Sequence, residues 1–199
     1  MLMEQTVIWC SWLVPAYLVG SIPFGFLIGK MRGVDVRTVG SKNIGATNVY
    51  RTVGKKWGFL AFFCDFLKGF APTLLAVSSA HGLSDLAVAV GLMCVIGHTL
   101  TVFMKFKGGK GVATAFGMLM ALVPLPALGA FGVFAVTVWL SHYISLGSCL
   151  AAASLATTLW FLPVPQTLQI VMSLIAVFVI YKHKSNIRRL IDGCENKIY

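Results

Sequence analysis

Long apolar runs alternate with short basic clusters along the whole chain. The longest run, residues 111–181, contains no Lys, Arg, Asp or Glu. A membrane-spanning helix needs roughly 20 apolar residues, and prolines and Gly/Ser-rich breaks divide this run into four segments. With three earlier runs, the pattern predicts an all-α, polytopic integral membrane protein with seven transmembrane helices. They cover about 6–29, 57–77, 86–104, 111–123, 127–144, 147–162 and 166–182.

Charge predicts the orientation of these helices. Of the 16 Lys and Arg residues, all but Lys68 fall in three clusters, within 30–56, 105–110 and 182–197. Basic loops stay on the cytoplasmic side, so the N-terminus is expected outside and the C-terminus in the cytoplasm. The first helix should be kinked at Pro15 and Pro23.

Composition agrees with a membrane protein. The 199 residues are 58% hydrophobic, with a mean hydropathy of +0.86 and a net charge of +10. These values exclude an ordinary soluble domain, and they make anionic headgroups or anionic substrates better partners than nucleic acid. Without a soluble domain boundary, residues 1–199 are interpreted as a single membrane-embedded domain.

The first cytoplasmic loop, residues 40–51, is rich in small hydrogen-bond donors and contains no acid. Hydroxyls, amides and a bidentate arginine together are typical of a phosphate or sugar-alcohol site. If the end of the loop is helical, Thr47 and Arg51 share a face. The candidate residues are Ser41, Lys42, Asn43, Thr47, Asn48 and Arg51.

The second cytoplasmic loop, residues 105–111, carries three lysines and three glycines and leads directly into the next predicted helix. Glycine lets backbone N–H groups converge on an anion, and a helix N-terminus adds further N–H groups. A basic turn that only fixes topology is the alternative. The whole stretch Lys105–Gly111 is therefore a candidate phosphate-binding loop.

The C-terminal segment and one further turn add candidate residues. His183 and Asn186 lie three apart at the exit of the last helix, while the arginines that follow are equally typical of an amphipathic surface helix. Ser145 and Ser148 are predicted at a turn on the same membrane face, where ordinary turn serines are the alternative.

Other chemistries have little support. No His, Cys, Asp or Glu grouping has metal-ligand spacing, and a Ser-His-Asp triad is poorly supported with six acids in the chain. We therefore expect neither a metal nor a cofactor. Asp65 and Lys68, three apart inside the second helix, are interpreted as a structural ion pair, and His98 as a structural histidine.

Several motifs in a fixed order span nearly the whole chain. They are Ser21-Ile-Pro-Phe-Gly25, Gly40-Ser-x-Asn-x-Gly-Ala-Thr-Asn-x-x-Arg51, Gly97-His98, Phe106-Lys-Gly-Gly-Lys-Gly-Val-Ala-Thr114, Ser145-Leu-x-Ser148 and His183-x-x-Asn-Ile-x-Arg-Leu190, followed by Gly193 and Glu195. In these motifs the chain resembles the bacterial membrane glycerol-3-phosphate acyltransferases that use acyl phosphate. One departure is Lys42, where that family usually has glycine.

The resemblance implies transfer of a fatty acyl group from acyl phosphate to the 1-hydroxyl of glycerol 3-phosphate. It further implies lysophosphatidic acid and phosphate as products, a place in the bacterial inner membrane, and transient contact with the soluble enzyme that makes acyl phosphate. Lys110, Ser41 and His183 would be catalytic, and the hydroxyl proton would go to a substrate phosphate or to His183. Acyl phosphate would contact Ser41, Asn43, Gly108, Gly109, Lys110 and Gly111, and glycerol 3-phosphate would contact Thr47, Arg51, Lys110, Ser145, Ser148, His183 and Asn186.

Two other classes of protein remain as alternatives. A transporter for a phosphorylated small molecule could use donor-rich loops as a gate, but transporters usually place polar groups near the bilayer midplane and often show repeats. A non-catalytic scaffold could bind anionic lipids through the same basic loops.

Overall fold

A computed structural model describes residues 2–80 and 82–198, in which all regular secondary structure is helical. This confirms the all-α prediction. His81, part of the predicted break between the second and third helices, lies outside the described residues. The helices are α1 (Leu2–Ser21), α2 (Phe24–Met31), α3 (Ala46–Thr52), α4 (Lys55–Ser79), α5 (Asp85–Thr99), a 3₁₀ helix (Val102–Met104), α6 (Val112–Leu122), α7 (Pro124–Ser141), α8 (Ile144–Leu159), α9 (Gln166–Lys182) and α10 (Lys184–Ile191).

The first predicted helix is broken at Pro23 instead of kinked. Helix α1 ends at Ser21 and α2 begins at Phe24, because proline lacks the N–H of a continuing helix and restricts the residue before it. Pro15, in contrast, stays inside α1.

The break between α7 and α8 lies earlier than predicted. His142 takes a left-handed conformation with φ of 64°, and such a residue is a common helix end. Helix α7 therefore stops at Ser141 and α8 begins at Ile144. As a consequence, Ser145 and Ser148 lie in the first turns of α8 and not in the turn that precedes it.

Four helical segments among the described residues are long and apolar enough to cross a bilayer. The bent pair α9 and α10, with an angle of 55° between them, gives a fifth. Helices α6 and α8, of 11 and 16 residues, are apolar but shorter. The four segments are Glu4–Met31, Lys55–Ser79, Asp85–Met104 and Pro124–Ser141.

The chain divides into two compact units, Met1–Leu122 and Val123–Tyr199. In the first, glycines allow helix backbones to touch, as small residues do in membrane bundles. A methyl group on Gly69 of α4 would overlap the carbonyl oxygen of Thr114 in α6, and one on Gly97 of α5 would overlap that of Tyr17 in α1. Helices α4 and α6, and likewise α1 and α5, are therefore locked at short distance.

The polar stretch between α2 and α4 has a small core of its own. Val36 and Val49 are fully buried, and Ile44 is nearly so, packed with Ile28 and Ala61. This apolar cluster folds the loop against the helix ends and gives its polar residues fixed positions.

In the second unit, α8 packs between α7 and α9. The junction of α8 and α9 is closed by Gln169, whose Nε2 donates to the Leu159 carbonyl at 3.1 Å, and by Trp160, whose indole N–H donates to Ser173 at 3.1 Å. The amide thus satisfies a carbonyl at the end of α8, and the indole N–H finds a hydrogen-bond partner that lipid could not provide.

Candidate functional site

Asn48 organises the polar loop of residues 40–51. Its side chain is buried and donates to the carbonyl oxygens of Val36 at 2.8 Å and Val39 at 3.2 Å. Its Oδ1 accepts from the backbone N–H of Ser41 at 2.9 Å. Gly40, with φ of 58°, lies so close that a methyl group there would overlap this oxygen. The exposed Ser41 is therefore held in place by a residue of helix α3.

The other candidates of this loop lie at the start of α3 or on it. Oδ1 of Asn43 accepts from the Gly45 N–H at 2.8 Å, a turn that leads into α3 at Ala46. Thr47 and Arg51, both half-buried, lie four residues apart on this helix, as the sequence predicted. Lys42 has a left-handed φ of 57°, the conformation that glycine adopts most readily.

Just before this loop, Arg37 and Asp35 form an exposed ion pair at 2.7 Å. The hydrogen bonds from Arg37 hold the pKa of the Asp35 carboxyl at about 2. The charge of Asp35 is thus neutralised by Arg37, two residues later, and the other basic residues of this region are left with a net positive charge.

Residues 105–111, the lysine–glycine loop, fold back on the end of α5. The N–H of Gly108 donates to the Thr99 carbonyl at 3.1 Å, and the N–H of Gly109 donates to the His98 carbonyl at 3.1 Å. These two N–H groups therefore do not converge on an open anion site, unlike the predicted arrangement. Glycine is required here for another reason, since a methyl group on Gly108 would overlap the His98 carbonyl oxygen.

The positive end of this loop is Lys110 together with the start of α6. Gly111, with φ of 82°, turns the chain into α6, and its carbonyl accepts from the Ala115 N–H at 2.8 Å. The first N–H groups of an α-helix have no carbonyl partner within the helix, and they attract anions. Lys110, half-buried, lies one residue before this turn.

In the second unit, Glu195 binds several candidate side chains. Ser145 donates to its Oε1 at 2.9 Å, Asn186 Nδ2 donates to the same oxygen at 2.6 Å, and Arg189 Nε donates to Oε2 at 2.7 Å. Burial raises the pKa of Glu195, but the hydrogen bonds from Asn186, Arg189 and Ser145 outweigh it and hold the pKa below its usual range. An ionised carboxylate thus fixes α8 and α10 to the C-terminal segment.

His183 and Ser148 are both buried. Nδ1 of His183 lies 2.7 Å from the Val179 carbonyl oxygen, and since a carbonyl only accepts, Nδ1 carries the proton and Nε2 is the basic nitrogen of the neutral ring. The Ser148 hydroxyl donates to the Ile144 carbonyl at 2.8 Å and can still accept a hydrogen bond.

Two residues hold these groups, Asn48 and Glu195. Asn48 was a candidate of the polar loop, but the resemblance assigned neither residue to substrate binding or catalysis. Asn48 had no signal beyond being one amide of a polar loop. Glu195 had one: with Asp192 it is one of two acids in a basic C-terminal segment, and a carboxylate that becomes buried there is expected to be paired.

The protein-family model described as glycerol-3-phosphate acyltransferase matches residues 10–193. Among curated relatives, the glycerol-3-phosphate acyltransferase of Trichlorobacter lovleyi is 53% identical over 186 residues, which cover 94% of this chain and 95% of that protein. The protein of the same name from Aquifex aeolicus is 47% identical over 183 residues, with 92% and 95% covered.

Two solved structures are similar over nearly the whole chain. The crystal structure of PlsY, an integral membrane glycerol 3-phosphate acyltransferase, in its glycerol 3-phosphate form has a TM-score of 0.92 and 45% identity. The lysophosphatidic acid form has a TM-score of 0.87 and 44% identity. Each alignment covers 95% of this chain and 94% of the other.

Proposed function

Because the chain belongs to the glycerol-3-phosphate acyltransferase family, it is an acyltransferase, and we propose that it transfers a fatty acyl group from acyl phosphate to the 1-hydroxyl of glycerol 3-phosphate. The products are lysophosphatidic acid and inorganic phosphate. The observation that carries the proposal is the likeness to both a glycerol 3-phosphate form and a lysophosphatidic acid form of one fold. Substrate and product chemistry thus meet in one scaffold.

In the proposed reaction the hydroxyl oxygen attacks the carbonyl carbon of the mixed anhydride, and the bond from that carbon to the phosphate oxygen breaks. An acyl phosphate is already activated, so orientation and stabilisation of the leaving phosphate supply the catalysis. The hydroxyl proton goes to the departing phosphate. His183, with Nε2 as its basic nitrogen, is the second candidate for that proton.

We assign the leaving phosphate to Lys110, the N-terminus of α6 at Gly111, and Ser41 with Asn43. The positive charge and the N–H groups of the helix end support this assignment. Gly108 and Gly109 serve it indirectly, by allowing the loop to lie against α5. Glycerol 3-phosphate is assigned to the hydroxyl, cationic, imidazole and amide side chains that the family resemblance suggests, namely Thr47, Arg51, Lys110, Ser145, Ser148, His183 and Asn186.

The experiment uses the full-length protein purified in detergent. Release of phosphate from a long-chain acyl phosphate should depend on added glycerol 3-phosphate and should need no membrane gradient. Acyl-CoA and acyl carrier protein serve as control donors. Activity with those donors alone would overturn the choice of acyl phosphate. A transporter or a scaffold gives no phosphate release with any donor.

We further propose a single membrane-embedded domain over residues 1–199, with seven spans in the bacterial inner membrane and an active site that faces the cytoplasm. Four segments of span length, the bent pair α9 and α10, and the short α6 and α8 add up to seven. With the N-terminus outside, the C-terminal segment is cytoplasmic and available to the soluble enzyme that makes acyl phosphate. In a variant that keeps only the exposed Cys194, an impermeant thiol reagent should label inverted vesicles and not intact cells.

A further inference from the structure

A buried charged cluster of three residues lies behind the lysine–glycine loop. Nζ of Lys68 lies 2.8 Å from Oδ1 of Asp65, and Nδ1 of His98 lies 3.5 Å from the same oxygen. The side chains of all three are at most 5% exposed. The ion pair between Asp65 and Lys68 was predicted; the contact with His98 was not, since His98 was interpreted as a structural histidine.

Such a cluster is costly, because the free energy needed to remove two charges from water can exceed the energy of their mutual attraction. Ionisable groups inside a membrane protein are therefore rare and usually serve a function. The Lys68 ammonium also donates a hydrogen bond to the Ile22 carbonyl at 2.7 Å, at the break between α1 and α2. The cluster is thus anchored to three separate parts of the first unit.

The opposite edge of the His98 ring faces the loop. A methyl group on Gly109 would overlap Nε2 of His98, so the ring lies directly against this glycine. The backbone of the same histidine accepts the Gly109 N–H at 3.1 Å. Both the ring and the main chain of His98 therefore define where Gly109 lies, and Lys110 is the next residue.

We propose that His98 is a positioning residue for Lys110: its ring, held from behind by Asp65, supports Gly109 and sets the place of the lysine that binds the leaving phosphate. The inference rests on the proposed function, because it concerns the loop assigned to acyl phosphate. His98 itself has no contact with substrate in this assignment.

The contact between Gly109 and the His98 ring can be tested by substituting each residue separately and then both together. Gly109→Ala should lower kcat/KM by about 100-fold, as expected when a reacting group is displaced by about 1 Å, with a larger rise in KM for acyl phosphate than for glycerol 3-phosphate. His98→Asn keeps an amide nitrogen near the place of Nδ1 and removes the ring edge. The double variant H98N/G109A should therefore regain on the order of tenfold over Gly109→Ala.

Two matched controls isolate the ring edge. His98→Gln carries its amide to the place of Nε2, so H98Q/G109A should stay as inactive as Gly109→Ala. The methyl group of Gly108→Ala would overlap the main-chain oxygen of His98, and no change of the His98 side chain removes that oxygen. The activity of H98N/G108A should therefore not exceed that of Gly108→Ala. Rescue of all doubles alike, or of none, would overturn the proposal.

Thermal unfolding in detergent separates this inference from the proposed reaction. Gly109→Ala should unfold at a lower temperature than the parent protein, and H98N/G109A should recover part of the loss while H98Q/G109A does not. If Gly109→Ala gives no folded protein, the yields of the two doubles give the same comparison. If the parent protein has no acyl-phosphate activity but the variants show this order of stability, the proposed reaction is refuted and the role of His98 stands. If the parent protein is active and neither activity nor stability is rescued, the role of His98 is refuted.

Discussion

Oδ1 of Asn48 accepts a hydrogen bond from the backbone N–H of Ser41 at 2.9 Å. The two residues are seven apart, one buried on helix α3 and one exposed on the loop. Since the amide nitrogen of Asn48 is used by two further carbonyls of the loop, a single side chain fixes the backbone before a proposed catalytic serine.

Asn48→Asp should lower both stability and activity. A carboxylate cannot donate to the Val36 and Val39 carbonyls, and leaving such buried acceptors without partners costs about 1–3 kcal/mol. Chemical unfolding in detergent gives the loss directly. Asn43→Asp is the matched control for stability, because it keeps the acceptor for the Gly45 N–H and changes charge equally. An equal loss in both variants would contradict the proposed role of Asn48.

Lys110→Ala should abolish most of the transfer without unfolding the protein. Removal of one group that stabilises developing charge costs on the order of 10²–10³-fold in rate. Lys107→Ala, an exposed lysine of the same loop, is the matched control and should retain activity. Phosphate release at saturating acyl phosphate measures both, and near-normal turnover of Lys110→Ala would refute the assignment.

Asn186→Ala should raise KM for glycerol 3-phosphate and also lower the free energy of unfolding. The second effect follows from the 2.6 Å hydrogen bond to Glu195, a charge-assisted bond worth about 1.5–3 kcal/mol. Steady-state kinetics and unfolding of the same preparation separate the two effects. An unchanged KM with reduced stability would mean that Asn186 only supports Glu195.

Stability should fall at acid pH through Glu195. Its pKa in the folded protein lies below the ordinary value of 4.5, so between the two values the unfolded chain binds more protons. The contribution is complete above pH 4.5 and is lost as the pH falls through the lowered pKa. Unfolding of Glu195→Gln should lack this pH dependence. Asp192→Asn, which removes an exposed pair with Arg188, should keep it.

Lys42→Gly should raise the free energy of unfolding by no more than about 1.5 kcal/mol. Relief of the left-handed conformation is worth roughly 1–2 kcal/mol, and the greater freedom of glycine in the unfolded chain offsets about 0.5–1 kcal/mol of it. Lys42→Val, with a branched side chain in the same conformation, should be clearly less stable. A higher KM for acyl phosphate in the glycine variant would indicate that the lysine charge contacts the phosphate.

The helices were predictable because hydrophobic runs and prolines mark them directly. All seven predicted segments contain a helix, and the errors are local. His142 ends α7 in a left-handed backbone conformation that its residue type did not predict. Pro23 breaks a helix where a kink was predicted. The number of spans is harder to obtain from length, because α6 has only 11 residues and its place depends on packing against α4.

The candidate site was predictable as a set of residue types and less so as a set of contacts. The resemblance and the local charge made Ser41, Lys110 and Asn186 candidates. Thr47 and Arg51 were expected to share a face if the end of the loop is helical, and α3 supplies that helix. The N–H groups of Gly108 and Gly109 were expected to face an anion and instead bond to α5. These contacts join residues nine and eleven positions apart (108 − 99 and 109 − 98) because the loop folds back on the helix before it. Local patterns carry no information about such a fold-back.

The close approach of Gly69 to Thr114 has a consequence for how substrates arrive. Gly69 lies 14 residues beyond Lys55, the start of α4 (69 − 55), or about 21 Å along the helix axis. The start of α6 lies two residues before Thr114 and therefore beside the middle of α4, which has 25 residues. A donor with a long tail can diffuse to such a depth laterally from the hydrocarbon, whereas tail-less glycerol 3-phosphate must come from water. In the proposed reaction we therefore expect acyl phosphate to approach laterally from the bilayer and glycerol 3-phosphate to approach from the aqueous side.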